Sequence, residues 1–309
     1  MLLGRHNVDW GSVGFRFATG LATAALVGML VVILGNIVWH GAGQISLHFI
    51  FGNTNEGMFD AQKAGVFPMI FGTVALVLLM TIGVGPIGVI TAVYLSEYAR
   101  AGSLITRIIR GAINNLAGVP SIVFGLFGLG FFIQFVGGGL DRLLFGGALH
   151  YGKPSIIWAA ATMAVLTLPV MIVATEEALR AVPLGLREAS LALGASKLET
   201  IWRIVLPQAL PGILTGGILA ISRGAGEVAP IMFTGVAYFL AHLPTSPTDQ
   251  FMHLGYHIFV LSTQSPDVER TKPILYGSVL VLLALTFLLN FAGVIIRSRI
   301  RSRARLTHG

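Results

Sequence analysis

Six long apolar stretches dominate this chain, at 17–39, 66–95, 116–136, 156–175, 213–236 and 274–296. About 20 apolar residues in a helix cross the roughly 30 Å of hydrocarbon in a bilayer. Inside lipid a backbone must satisfy its own hydrogen bonds, so runs of this length form helices. Of 309 residues, 55% are hydrophobic and 11% charged, whereas soluble domains carry about 25% charge. The length would allow two soluble domains, but the charge is too sparse to coat them, which excludes a soluble enzyme. High branched and aromatic content excludes disorder. The expectation is an all-α, polytopic membrane protein with six transmembrane helices.

Lysine and arginine accumulate in cytoplasmic loops. With six spans both termini share a side, and fourteen of the 20 Lys and Arg fall there, including Arg5 and Arg16, Arg100, Arg107 and Arg110, and the run from Arg297 to Arg305. Five lie opposite (Lys63, Arg142, Lys153, Arg270 and Lys272), and Arg223 lies inside the fifth span. Both termini are therefore expected in the cytoplasm of a multi-pass inner-membrane protein. The organisation is a cytoplasmic N-terminal segment (1–16), a six-helix body (17–296) and a basic cytoplasmic tail (297–309). Following a span directly, that tail reads as a topology anchor on anionic membrane lipid rather than a nucleic-acid patch.

Several local motifs carry no chemistry. Residues 147–153 match the first seven positions of a phosphate-binding P-loop, but Pro154 stands where Ser or Thr should meet magnesium, and proline cannot continue the helix there. The glycines at 83, 85 and 88 fit GxGxxG inside a span long enough to contain a break, without the strand and helix of a dinucleotide site. Close helix packing or a kink is their expected meaning. His253 and His257 are four apart, with no third ligand suggested, and an external surface or interface role is expected for them. The absence of cysteine removes disulfides, thiolate metal sites and a thiol nucleophile. No nucleophile elbow is present either, so the chain is expected to be non-enzymatic and to bind no cofactor or metal.

The segment 176–209, between spans four and five, is too polar to span and too patterned to be a linker. Pro183 marks a start, Leu186, Ala189, Leu193, Leu198, Ile201 and Val205 recur near helical spacing, and Gly194 divides two short helices. Pro207 and Pro211 restart the chain toward the membrane. Pattern alone fits two uses equally: a helix resting on lipid, or one offering a face to a partner's groove. Glu188-Ala189-Ser190, then Gly194, then Ile204, Leu206 and Pro207 resemble the EAA-x3-G-x9-I-x-LP signature of ABC importer permeases, with Ser190 in place of the second alanine.

The phrases at 94–99, 118–125, 168–172, 176–180 and 222–227 further resemble the PstA family of phosphate-importer permeases, from about residue 64 onward. Val228 stands where that family's threonine is expected, so no hydroxyl is offered there. The resemblance implies a type I ABC importer permease fold and ATP-driven entry of inorganic phosphate by alternating access. Residues 183–207 would be the coupling helix seated on an ATPase. The implied partners are a homologous permease subunit (PstC-like), two ATPase subunits (PstB-like) holding ATP and Mg, and an external phosphate-binding protein (PstS-like). A permease for another oxyanion or a phosphonate is the nearest rival. An ATP-independent membrane channel is a rival from another class.

An arginine at a span centre costs about 2.5–3.5 kcal/mol on insertion scales, so Arg223 demands a reason. Glu227, four residues on, would share its helical face. Two readings stand: an ion pair fixing helix packing, or a pair facing the translocation path, where the guanidinium fork suits an oxyanion and Glu227 balances it when the path is empty. Ser222, Gly224 and Gly226 leave little bulk beside the arginine and belong to the same candidate path.

Overall fold

The computed structural model describes residues 10–54, 57–100 and 102–306, with side chains over 11–300 of these. Arg5, most of the 1–16 segment and the side chains of Arg301, Arg303 and Arg305 lie outside the described residues. The chain runs through α1 (Trp10–Gly41), α2 (Leu47–Phe51), α3 (Phe67–Val93) and α4 (Leu104–Ala117). Next come α5 (Ser121–Phe127), α6 (Gly138–Leu144), α7 (Ile156–Arg180), α8 (Leu184–Ala192) and α9 (Lys197–Thr200). It closes with α10 (Leu206–Gly226), α11 (Ala229–Thr234), α12 (Leu254–Thr263) and α13 (Val268–Leu306). Wider π turns extend α3 over Tyr94–Tyr98, join α5 to α6 over Gly128–Gly137 and join α9 to α10 over Ile201–Val205. Among the described residues the β pairing amounts to one isolated bridge, Val236 to Phe251. Among the described residues six helices are long and apolar enough to cross a membrane.

The fourth span, α7, is the hub, packed between α3 and α10 and also touching α4, α5 and α11. Its sequence explains this position. Ala159, Ala160 and Ala164 permit close approach, while Thr162 and Thr167 return their hydroxyls to carbonyls four residues back, at 2.8 and 2.9 Å, so these two buried hydroxyls are satisfied within the helix. On α10, Gly212 and Gly216 are the small-xxx-small pair: a Cβ there would stand 2.4 Å from that of Ala178 and 2.8 Å from that of Ala174. Leu76, Met80 and Val84 of α3, Met163 and Leu166 of α7 and Ile213 and Ala220 of α10 share one core.

A second core lies around Phe49, Met58, Val66 and Met69, closed by Leu254, Leu261 and Ile274 of α12 and α13. The stretch 46–66, which carries no strong sequence signal, thus has a packing role. The first span is the outlier. α1 rests chiefly on α13, where Gly41 lies so near that a Cβ would stand 2.7 Å from the Tyr276 carbonyl.

Several expected boundaries move. The third span begins at Ser121, not 116, because Gly118 and Pro120 end a separate amphipathic helix, α4. The fifth helix ends at Gly226 instead of running to 236, since the Pro230 ring is incompatible with a helical carbonyl at Gly226 and the chain turns extended at Glu227 (φ −81°, ψ 130°). Pro207 and Pro211 do not restart a helix: the path from Lys197 to Gly226 is continuous. The glycines at 83–88 leave α3 unbroken around Pro86. Close packing is the meaning of Gly88, where a Cβ would meet Met171 at 2.5 Å, whereas a Cβ at Gly85 would meet open space.

Candidate functional site

The EAA-like segment folds as two short helices, α8 and α9, divided at Gly194. Gly194 closes α8 with φ +85°, a conformation suited to glycine. Its N–H reaches the Leu191 carbonyl at 3.0 Å and that of Ala195 reaches Ser190 at 3.2 Å, the paired bonds of a Schellman motif. Ser196 then caps α9 reciprocally with Glu199: the serine hydroxyl accepts from the Glu199 N–H, and the carboxylate accepts from the Ser196 N–H, both at 3.2 Å. Ser190, the departure from the signature, is used: its hydroxyl and that of Thr200 are 2.9 Å apart, tying α8 to α9. The π turn over Ile201–Val205 widens the coil where the Pro207 ring would otherwise press on the carbonyl of Arg203. Ile204 and Leu206 are half-buried, Val205 is buried, and Glu188, Ala189 and Pro207 are exposed.

This segment presents an uncovered apolar surface. Leu184, Leu191, Leu193, Leu198 and Trp202 are all exposed, Leu193 at 89%. No residue of α8 is buried. What holds α8 to the spans is polar. Arg187 donates one guanidinium nitrogen to Glu97, in the π turn ending the second span, and another to the Leu179 carbonyl of α7 at 2.7 Å. Both side chains of this pair are largely enclosed, 17% and 8% exposed. Lys197 donates to the Glu97 carbonyl and lies 4.9 Å from the centre of the Tyr98 ring. Beside it Arg110 of α4 bonds Glu176 of α7 at 3.0 Å and the Leu95 carbonyl at 3.3 Å, with Arg180 at 3.6 Å from the same carboxylate. These pairs join residues 66 and 90 positions apart and were missed by the sequence reading. The available signal was the presence of acids, Glu97 and Glu176, at the arginine-rich end.

Arg223 and Glu227 do meet, Nε to Oε1 at 3.6 Å, although Glu227 is the first extended residue after α10 and not a further helical one. Their side chains are 38% and 25% exposed, so the pair is open on one side. Ser222 is not brought to it: its hydroxyl donates to Asn290 of α13 at 2.6 Å. Gly224 packs within the chain, where a Cβ would meet Met80 at 2.6 Å, whereas Gly226 faces open space.

The P-loop-like segment is filled by the chain itself. The Asp141 carboxylate accepts from the N–H groups of His150, Tyr151 and Gly152 at 3.1, 2.8 and 2.7 Å, taking donors a phosphate would need. His253 and His257 are buried, correcting the expected external-surface role. The His253 Nδ1 accepts from the Gly255 N–H at 3.1 Å and caps α12, and burial pushes its imidazole down to about 3 and that of His257 to about 4. No group of three metal-ligating side chains occurs among the described residues.

A family model described as "Binding-protein-dependent transport system inner membrane component" matches residues 84–305. The probable ABC transporter permease protein YqgI of Bacillus subtilis is 34% identical over 263 residues, 81% of this chain and 83% of that one. The phosphate transport system permease protein PstA 1 of Mycobacterium tuberculosis is 31% identical over 301 residues, 94% of this chain and 91% of its own. Among solved structures, a chain of a bacterial alginate ABC transporter in complex with alginate pentasaccharide-bound periplasmic protein shares the fold, with TM-score 0.66, 13% identity and coverage of 94% and 98%. A chain of the inward-facing MetNI methionine ABC transporter does so with TM-score 0.55, 20% identity and coverage of 75% and 94%. With six spans and an EAA-like helical pair between the fourth and fifth, this chain belongs to the family of binding-protein-dependent transport system inner membrane components.

Proposed function

We propose that the chain is the permease subunit of an ABC importer that carries inorganic phosphate inward across the cytoplasmic membrane. Likeness to a phosphate permease over 94% of this chain is the observation that carries the cargo reading. The body is 17–296, with 1–16 and 297–309 flanking it on the cytoplasmic side, as the distribution of basic residues favours. The partners are a homologous permease, two ATPases holding ATP and Mg, and an external phosphate-binding protein.

On this reading the exposed leucines and Trp202 of 183–207 seat in a groove of the ATPase, with Glu188, Ala189, Ser190 and Gly194 shaping the first helix and its stop and Ile204, Leu206 and Pro207 carrying the second into the fifth span. Closure of the ATPases on nucleotide then moves the spans between inward-open and outward-open states. Arg223 and Glu227 face the path. Arg223 sits in the last turn of α10, where a helix favours a cation, while Glu227 sits at the same negative pole, where an anion is disfavoured. An arriving phosphate therefore competes with Glu227 for the guanidinium, and the planar fork offers it two parallel hydrogen bonds. Ser222, through Asn290, holds α10 to α13 beside them.

The test is uptake of labelled phosphate at low concentration in cells lacking this chain and in cells complemented with it, with excess sulfate, molybdate or phosphonate as competitors. Uptake restored by the chain and resistant to competition supports phosphate. An undiminished rate in the deletion assigns the cargo to another anion.

A further inference from the structure

The helix read above as docking on the ATPase has no apolar anchorage in its own chain, because no apolar residue of α8 is buried. A lever that transmits displacement must be fastened at its load-bearing end, and a helix lying on the surface by apolar contact alone would slide. The fastening that the geometry supplies is polar: an enclosed ion pair, Arg187 with Glu97, and an exposed lysine, Lys197, on a backbone carbonyl. Glu97 receives the Arg187 guanidinium of α8 on its carboxylate and the Lys197 ammonium of α9 on its carbonyl. Arg187 also reaches the Leu179 carbonyl at the end of α7, so a single side chain bridges α8 to the second and fourth spans.

We infer that Glu97, Arg187 and Lys197 form the joint through which the coupling segment drives the second and fourth spans, and that this joint stays closed as the transporter turns over. The inference rests on the reading of 183–207 as the docking segment. The three are positioning residues: none need touch cargo or nucleotide. Enclosure stiffens the Glu97–Arg187 pair at the centre of the joint, since an ion pair shielded from water is weakly screened and a charge left unpaired there is strongly disfavoured. The second clamp, Arg110 to Glu176 with Leu95, ties α4 to α7 and to the same end of α3, so the joint stands on a braced base.

The experiment uses the assembled complex of permeases, ATPases and binding protein in proteoliposomes. Glu97→Gln and Arg187→Gln are expected to leave assembly and ATP hydrolysis within about twofold while phosphate carried per ATP falls about tenfold or more, and Glu97→Arg with Arg187→Glu recovers much of that ratio, as directly interacting residues do in a double-mutant cycle. An unchanged ratio in both single variants overturns the joint.

A readout independent of cargo uses spin labels on cysteines placed at Leu191 of α8 and Ile90 of α3, in a chain with no cysteine of its own. The distance between them should be the same with and without ATP in the parent and should shift or broaden in Glu97→Gln. A parent distance that changes with ATP, or a variant distribution identical to the parent's, overturns the inference even where transport is impaired. Failure of phosphate uptake in the parent, with the label distances behaving as expected, refutes the cargo and leaves the joint standing.

Discussion

Arg223 holds a charge in the last turn of α10, half-open and paired at 3.6 Å with Glu227. Because guanidinium geometry and not charge alone suits an oxyanion, both Arg223→Ala and Arg223→Lys are expected to lower uptake by at least about tenfold with ATP hydrolysis retained. Unimpaired uptake by Arg223→Ala removes the residue from the path. Position 257 makes a prediction of another kind. Its imidazole is held down to about 4 by burial, against about 6.5 in an unfolded chain. Between those values the unfolded chain binds a proton that the folded one does not, so stability is complete above about pH 6.5 and declines as the pH falls toward 4. The loss reaches on the order of 2 kcal/mol per imidazole near pH 5. Thermal unfolding of the purified protein between neutral and mildly acidic pH should show this decline, and His257→Leu should remove about half of it if both histidines contribute alike. Neither the burial nor the capping role of His253 was legible in a pair of histidines four apart.

At the scale of elements, most starts and stops were written in local chemistry. Pro183 opens α8 and Gly194 closes it at positive φ, where the sequence reading put them. Pro230 was an equally plain signal for the end of α10, but apolar composition continues past it, and a reading based on hydropathy runs straight through to 236. The π turns before Leu206 and after Val93 had no comparable signal, because a widened turn depends on what packs outside it. Since Gly194 satisfies α8's last carbonyls in a conformation that other residues resist, Gly194→Ala should lower stability by about 1 kcal/mol. Gly194→Pro, which also removes the N–H bonded to Leu191, and Glu188→Lys should each reduce transport per ATP hydrolysed, measured in the reconstituted complex; unchanged coupling in both displaces the docking assignment from this segment.

Over the whole molecule, six spans and their order follow from length and apolar content, but which spans touch does not. The centrality of α7 rests on small residues meeting small ones, Gly216 on Ala174 and Gly212 on Ala178, and a GxxxG spacing indicates a packing seam without naming its partner. The ionic ties from Glu97 to Arg187 and from Arg110 to Glu176 were hidden for the same reason: pairing across tens of residues is a property of the assembled bundle. The seam is open to test. Gly216→Leu must force α10 off α7, and overpacking of this kind costs about 1–3 kcal/mol or more. A fall in the melting temperature of the purified protein is expected, larger than for the same change at Gly217, whose Cβ would meet open space.

The outlying position of α1 bears on how the protein is made. Its resting place is on α13, and Gly41 and Tyr276 are about 235 residues apart in the chain, which at a synthesis rate of about 5–20 residues per second separates their emergence by some tens of seconds. A helix with a polar stripe would spend that interval exposing it to hydrocarbon, but α1 is predominantly apolar with no polar stripe and waits in the bilayer at little cost. Its docking on α13 is thereby a late event in biogenesis, after the remaining spans have been threaded.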